Sequence, residues 1–397
     1  MVKIPPFDVE QWMDKYETTP GVLNIAETCC SSISVDALQR LNKRQDAPPP
    51  VDFSRPMTYG AILGSAELRQ NIASQYDSAG SSGEVHPDSV IVTQGAIAAN
   101  HLVFYSLVGP GDHVVCVFPT YQQLYAVPES LGAEVSLWEL KAEDGFVPDV
   151  KALRGLIKSN TKMIVINNPN NPTGATIPTE TLKQIIEVAR EKGIIVFADE
   201  VYRPLYHSLD ADKIPPSALS LGYEKVVVTS SMSKAWALAG IRVGWIASQD
   251  PSIIEKVALV RDYTTISVSQ IDDQVARYAL SPDVRPQLIA RNLELSKKNL
   301  ALVDQFIQGH QDVVSWVKPT AGTTAFVQFK KNGKPVDDEK FCLDVLEKTK
   351  VMFLPGSKCF GHGKGFQGYV RIGYVQETGV LQEALEQLSA YVKENLA

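Results

Sequence analysis

Residues 226–245 read VVVTSSMSKAWALAGIRVGW. Val226, Val227 and Val228 form a short β-branched apolar run, which suits a strand covered on both faces of a sheet. Chemistry begins where that run stops. Ser231, Ser233 and Lys234 follow, then a small-residue segment, then Arg242 ahead of a second apolar turn, so hydroxyls, an amine and a guanidinium can converge on one anion. A nucleophilic lysine needs a walled, partly dry pocket, because burial and nearby cations favour its neutral form. The end of a buried strand supplies such a wall. Taken singly, a lysine beside serines is more often a solvated loop residue and a lone arginine more often a surface cation. The weight lies on the pattern.

The chain of 397 residues is long enough for one large domain and a smaller one. Its 44% hydrophobic and 21% charged content is ordinary for a globular enzyme, and a formal charge of -7 disfavours nucleic acid and anionic membranes as partners. No apolar run approaches the length of a membrane helix, and the start MVKIPPFDVEQW lacks a signal-peptide core, so a cytoplasmic location is expected. Cys29, Cys30, Cys116, Cys342 and Cys359 are odd in number and lack paired metal-ligand spacing, which argues against a disulfide scaffold or a metal site. The adjacent Cys29 and Cys30 read as small pocket or core residues.

Outward from residues 226–245, strand and helix signals alternate. Strands are expected over 89–93, 113–118, 163–167 and 194–197. A helix is expected from near Ile97, and another over 180–192, where Gly193 stops it. Residues 89–245 thus imply a mostly parallel sheet with helices on both sides and reactive side chains at the carboxyl ends of strands. Ahead of this, Val35, Leu38 and Leu41 have helical spacing behind a capping Ser34, and Pro48, Pro49 and Pro50 hold the chain extended. Beyond it, residues 286–308 read as a long amphipathic helix, 354–356 as a turn and 369–374 as a strand. The expected division is an N-terminal arm with part of a small domain over 1–50, a large domain over 51–285 and a small domain over 286–397.

Several residues at these strand ends have chemical uses. The turn Gly95, Ala96, Ile97 presents free backbone N–H groups and the positive end of a helix dipole, which suits a phosphate. Tyr121 follows the strand over 113–118 and offers a flat face for stacking. Asn168-Pro169-Asn170-Asn171-Pro172-Thr173-Gly174 is an irregular turn whose amides donate to an oxygen. Asp199 and Tyr202 end the strand over 194–197, and a buried carboxylate there requires a partner. Arg371, forked and permanently charged, suits a carboxylate.

The segment Ser231-Met232-Ser233-Lys234 with Gly240-Ile241-Arg242-Val243-Gly244-Trp245, the 168–174 turn and Asp199-Glu200-Val201-Tyr202 together resemble the signatures of fold-type-I aminotransferases of class I and II. The resemblance runs from Tyr59 to Tyr374. It implies an α/β fold, with a mostly parallel seven-stranded sheet in the large domain and a smaller α+β domain. It also implies pyridoxal 5'-phosphate as cofactor, carried by Lys234, which then serves as base and acid at the substrate α-carbon. Asp199 would pair with the ring nitrogen, Asn171 and Tyr202 with the phenolic oxygen, and Tyr121 with the ring face. Gly95, Ala96, Ile97, Ser231, Ser233, Arg242 and Tyr59 of a second subunit would hold the rest of the cofactor, chiefly its phosphate. Arg371 and Asn171 would orient the substrate. The implied partners are an amino acid, a 2-oxo acid and a second copy of the chain, with no metal.

The arm departs from that family. Where most members carry a Gly and a Pro in a loop that reaches the substrate, this chain has Glu27-Thr28-Cys29-Cys30. Gln11-Trp12 with Leu23-Asn24-Ile25-Ala26 is instead similar to the N-terminal region of arginine-oxidising and capreomycidine-forming relatives, so Glu27 is expected to bind a basic substrate. The cofactor residues serve transamination, oxidation, elimination and cyclisation alike. Aminotransferase therefore stands first, with oxidase, cyclase or lyase as alternatives. An amino-acid-sensing regulator on the same fold is the non-enzymatic reading, disfavoured by the complete reactive set.

Overall fold

The computed structural model describes residues 4–44, 46–76 and 85–396. The arm contains α1 (Asp8–Tyr16), β1 (Leu23–Asn24) and α2 (Val35–Arg40). Around one large sheet lie α3 (Ala66–Ala73), β2 (Val90–Thr93), α4 (Gly95–Leu107), β3 (His113–Phe118), α5 (Gln123–Ser130), β4 (Glu134–Glu139), α6 (Val150–Leu156), β5 (Thr161–Asn167), α7 (Thr179–Lys192), β6 (Ile195–Asp199), β7 (Val226–Ser231), β8 (Gly244–Ala247), α8 (Pro251–Arg261) and α9 (Gln270–Ala279). The remainder is α10 (Arg285–Gln308), β9 (Val314–Trp316), β10 (Thr324–Lys331), β11 (Lys334–Pro335), α11 (Asp338–Thr349), β12 (Val351–Met352), β13 (Leu354–Pro355), α12 (Gly356–Phe360), β14 (Tyr369–Gly373) and α13 (Thr378–Asn395).

The large sheet has seven strands in the order β2-β8-β7-β6-β5-β3-β4. Only β8 runs against its neighbours. Its central strands are apolar at successive positions because both faces are covered: Val115, Val117, Ile164, Ile166, Val196 and Val228 enter one core, while Val114, Cys116, Met163, Val165, Phe197 and Val227 enter the other. Register then levels the strand ends. Asn167 lies beside Asp199, and Asp199 beside Thr229, so the polar residues that end these apolar runs stand side by side.

The second sheet is antiparallel, in the order β11-β10-β14-β13, with β9 also on β10. The arm is fastened to the C-terminal elements by backbone. β1 pairs in parallel with β12, the Ile25 N–H donates to Met352 O at 3.0 Å, and the Gly373 N–H donates to Ile25 O at 2.7 Å. Gly373 has to be glycine: a Cβ there would sit 1.8 Å from the carbonyl oxygen of Glu27. β14, which carries Arg371, is thereby pressed against the segment that carries Glu27.

Three local expectations shift. α4 begins at Gly95, two residues before Ile97, because Gly95 turns the chain at a φ of +79°. Residues 354–356, expected as a turn, are the strand β13 running into α12, a pairing supplied by β14. Helix α1 was not anticipated, although Val9 and Trp12 are buried on one face of it at helical spacing. Ser34 caps α2 as expected, its hydroxyl accepting the Ala37 N–H at 3.1 Å, and Gly193 ends α7 at a φ of +68°.

Candidate active site

A cavity of about 630 Å³ opens at the carboxyl ends of β5, β6 and β7, with α1 forming part of its wall. Of the residues singled out from the sequence, Glu27, Ala96, Ile97, Tyr121, Asn171, Asp199, Tyr202, Ser231, Ser233, Lys234, Arg242 and Arg371 line it. Gly95 lies just behind Ala96. Tyr59 is 79% exposed and lies outside the cavity of its own chain.

One corner is built for an anion. A Cβ on Gly95 would lie 2.6 Å from Arg242 Nη2, and a Cβ on Gly244 would lie 2.6 Å from the Ala96 nitrogen, so two glycines let β8, the guanidinium and the start of α4 close up. Arg242 takes a left-handed φ of +51° and donates from Nη1 to Ala239 O at 2.9 Å and to Ser233 Oγ at 3.4 Å. Ser231 Oγ accepts the Ser233 N–H at 3.2 Å. Hydroxyls, a guanidinium and the unpaired N–H groups of a helix start therefore meet at one place.

Asp199 forms the floor. It is 3% exposed; its Oδ2 accepts from Asn100 Nδ2 at 3.0 Å and its Oδ1 from the Val201 N–H at 3.2 Å. Burial pushes its carboxyl up to about 6 in spite of these hydrogen bonds. Among the described residues it makes no ion pair. Asn100 is itself held by Thr229, whose hydroxyl donates to Asn100 Oδ1 at 2.7 Å. Asn100 was missed in the sequence; its signal is a lone buried amide within the apolar helix α4.

On the opposite wall Arg371 is 3% exposed and donates from Nη1 to Asn171 Oδ1 at 3.2 Å and from Nη2 to Ala26 O at 2.8 Å, while its buried Nε has no acceptor. A desolvated guanidinium left with a free donor is completed by an anion. Because the Asn171 oxygen is taken by Arg371, its Nδ2 is the end left for another acceptor. Tyr202 is buried, which raises its phenol. Tyr121 donates to Glu10 Oε1 at 3.0 Å, and its ring packs on Phe7 with centroids 4.8 Å apart.

Lys234 Nζ donates to Thr28 Oγ1 at 2.7 Å and to Cys29 Sγ at 3.4 Å, and lies 3.8 Å from Glu27 Oε1. Burial disfavours its ammonium, but Cys29, Glu27 and Tyr202 outweigh that and hold it above the ordinary lysine value. Burial likewise opposes the Glu27 carboxylate. The Lys234 charge and hydrogen bonds from Cys29 and Thr28 prevail, and hold Glu27 down at about 2. Thr28 was not among the expected site residues; the only sign of it was the unusual arm.

Pyridoxal phosphate would fit what these residues lack: its phosphate would match the corner at Gly95 and Arg242, and its protonated ring nitrogen would supply the cation that buried Asp199 does without. The comparisons agree. A family model described as aminotransferase class I and II matches residues 35–388. A solved structure of a PLP-dependent aminotransferase from Streptococcus suis is 37% identical, superposes with a TM-score of 0.88, and the match covers 99% of this chain and 98% of that one. Aspartate aminotransferase of Thermotoga maritima is 29% identical over 83% of this chain and 82% of its own length. Capreomycidine synthase of Streptomyces vinaceus is 28% identical over 83% and 79%. This chain belongs to the class I and II aminotransferase family and is a pyridoxal-phosphate-dependent enzyme of that type.

Proposed function

We propose that the protein transfers the amino group of an amino acid to a 2-oxo acid, with Lys234 as both cofactor-bearing residue and proton carrier. The observation that carries this is the convergence of the Lys234 amine, the uncompensated Asp199 carboxylate and the incomplete Arg371 guanidinium on one cavity. The bound cofactor supplies an electron sink for the pair left when the α-proton departs. Asp199 would keep the ring nitrogen protonated, which would sustain that sink. Asn171 Nδ2 and Tyr202 would hold the phenolic oxygen, and Tyr121 would cover the ring face. Arg371 takes the substrate carboxylate and turns the Cα–H bond toward Lys234, whose nitrogen removes the proton and later returns it. The corner at Gly95, Ala96, Ile97, Ser231, Ser233 and Arg242 anchors the phosphate.

We further propose a homodimer. Phe53, Met57, Tyr59 and Ile62 are exposed within ten residues of one another, as are Tyr263 and Ile266, and a second copy covering them would bring Tyr59 of one subunit to the phosphate corner of the other. No helix among the described residues is long and apolar enough to cross a membrane. The aminotransferase family match supports a role in amino-acid metabolism, for which we propose a cytoplasmic location.

A second reading concerns the substrate. Glu10, Asp14 and Glu17 stand along one face of α1 and its end, line the cavity with Glu27, and make no ion pair with a lysine or arginine of the described residues apart from Glu27 with Lys234. Such a rim suits a second positive charge on the substrate, and the similarity to capreomycidine synthase supports cyclisation as the alternative reaction. Adding amino acids singly to the holoenzyme tests the proposal. A shift of the cofactor band that a 2-oxo acid reverses, without oxygen uptake or ammonia release, is expected; oxygen uptake or a cyclic product overturns transamination.

A further inference from the structure

We infer that the turn Glu27-Thr28-Cys29 is the docking place of the free Lys234 amine, with Thr28 as the positioning residue for proton transfer; this rests on Lys234 being the cofactor-bearing lysine. An ammonium has three N–H donors. Here they face a hydroxyl at 2.7 Å, a sulfur at 3.4 Å and a carboxylate at 3.8 Å, all from three consecutive residues.

The turn is rigid for reasons visible in its backbone. Asn24 Oδ1 accepts the N–H groups of Ala26 and Glu27, and Glu27 Oε1 accepts those of Thr28 and Cys29 at 2.6 and 2.8 Å. The Cys30 N–H donates to the carbonyl of Lys234 itself at 3.3 Å, and the close approach of Gly373 holds Glu27 from behind. Thr28 Oγ1 is therefore fixed relative to both ends of the lysine side chain. The same hydroxyl lies against the Tyr202 phenol.

The Thr28 hydroxyl accepts from the ammonium, so together with Glu27 it favours the protonated lysine. When the Cα–H bond breaks, its electron pair stays with the substrate and the proton joins the Lys234 nitrogen. Glu27 then favours the ammonium until the proton is handed back. The charged and titratable groups facing Lys234 are Glu27, Cys29, Cys30, Tyr202, Asp199 and Arg371, and Arg371 alone among them opposes its charge.

The test uses holoenzyme loaded with pyridoxamine 5'-phosphate, in which Lys234 is free. Trace acetylation with acetic anhydride is followed between about pH 7 and 11 by mass spectrometry of the Lys234 peptide. Wild-type Lys234 should label later than an ordinary lysine, and Glu27→Gln and Thr28→Val should bring labelling down by about one pH unit, roughly tenfold faster at a fixed pH. Thr28→Ser should restore the wild-type profile, and retained cofactor absorbance reports an intact fold. Wild-type profiles in both variants, or a Thr28→Ser protein that labels like Thr28→Val, overturn the inference. Borohydride mapping of the cofactor adduct reports separately on Lys234 as the cofactor lysine.

Discussion

Asn100 Nδ2 donates to Asp199 Oδ2 at 3.0 Å, which joins the first turns of α4 to the end of β6 across 99 residues of sequence. That single bond does not compensate burial, since the carboxyl still rises from 3.8 to about 6. An ionised Asp199 therefore destabilises the cofactor-free fold. A carboxyl raised on folding binds more protons in the folded state between those two values, so its contribution to stability falls as pH rises through that window and remains unfavourable above it.

Asp199→Asn should therefore stabilise the cofactor-free protein at pH 8, by up to about 3 kcal/mol, and not at pH 4. The same variant should lose nearly all turnover, because an amide cannot keep the ring nitrogen protonated. Denaturant unfolding at the two pH values checks the first half and steady-state rates the second.

Gly95→Ala should loosen the phosphate corner. Its Cβ would press on Arg242 Nη2, and a φ of +79° is unfavourable for alanine. Cofactor affinity is expected to fall by about tenfold or more, equivalent to roughly 1.4 kcal/mol, in an absorbance titration of the cofactor-free protein.

Much of this site was legible before any coordinates. Buried parallel strands read as unbroken apolar runs, so the first polar residues after them, Asn167, Asp199 and Thr229, mark the strand ends at which the cavity opens. The remainder depends on meetings between distant segments. Thr28 and Lys234 are 206 residues apart, and no local periodicity predicts their contact. α1 failed for another reason. Its spacing at Val9 and Trp12 is helical, but nine residues with three acidic side chains carry a weak apolar signal, and the packing that stabilises it comes from elsewhere in the chain.

The α1 carboxylates make a separate prediction. Combined Glu10→Gln, Asp14→Asn and Glu17→Gln substitutions should raise KM for a diamino acid such as lysine several-fold, by roughly 0.3–1 kcal/mol per solvated charge, and leave KM for an isosteric neutral amino acid unchanged. Equal effects on both substrates would reduce the rim to a solvated helix face.

Subunit mixing tests Tyr59. If Tyr59→Phe and Lys234→Ala are each inactive alone, mixed dimers should regain activity at the one site that keeps both residues. Proven mixed dimers without recovery would remove Tyr59 from the neighbouring subunit's site.

Borohydride reduction of the holoenzyme followed by peptide mapping tests the central claim most directly. The cofactor should be found covalently fixed to Lys234 and to no other lysine, and Lys234→Ala should bind the cofactor without the adduct and without turnover. An adduct on a different lysine, or undiminished activity in Lys234→Ala, would contradict the account.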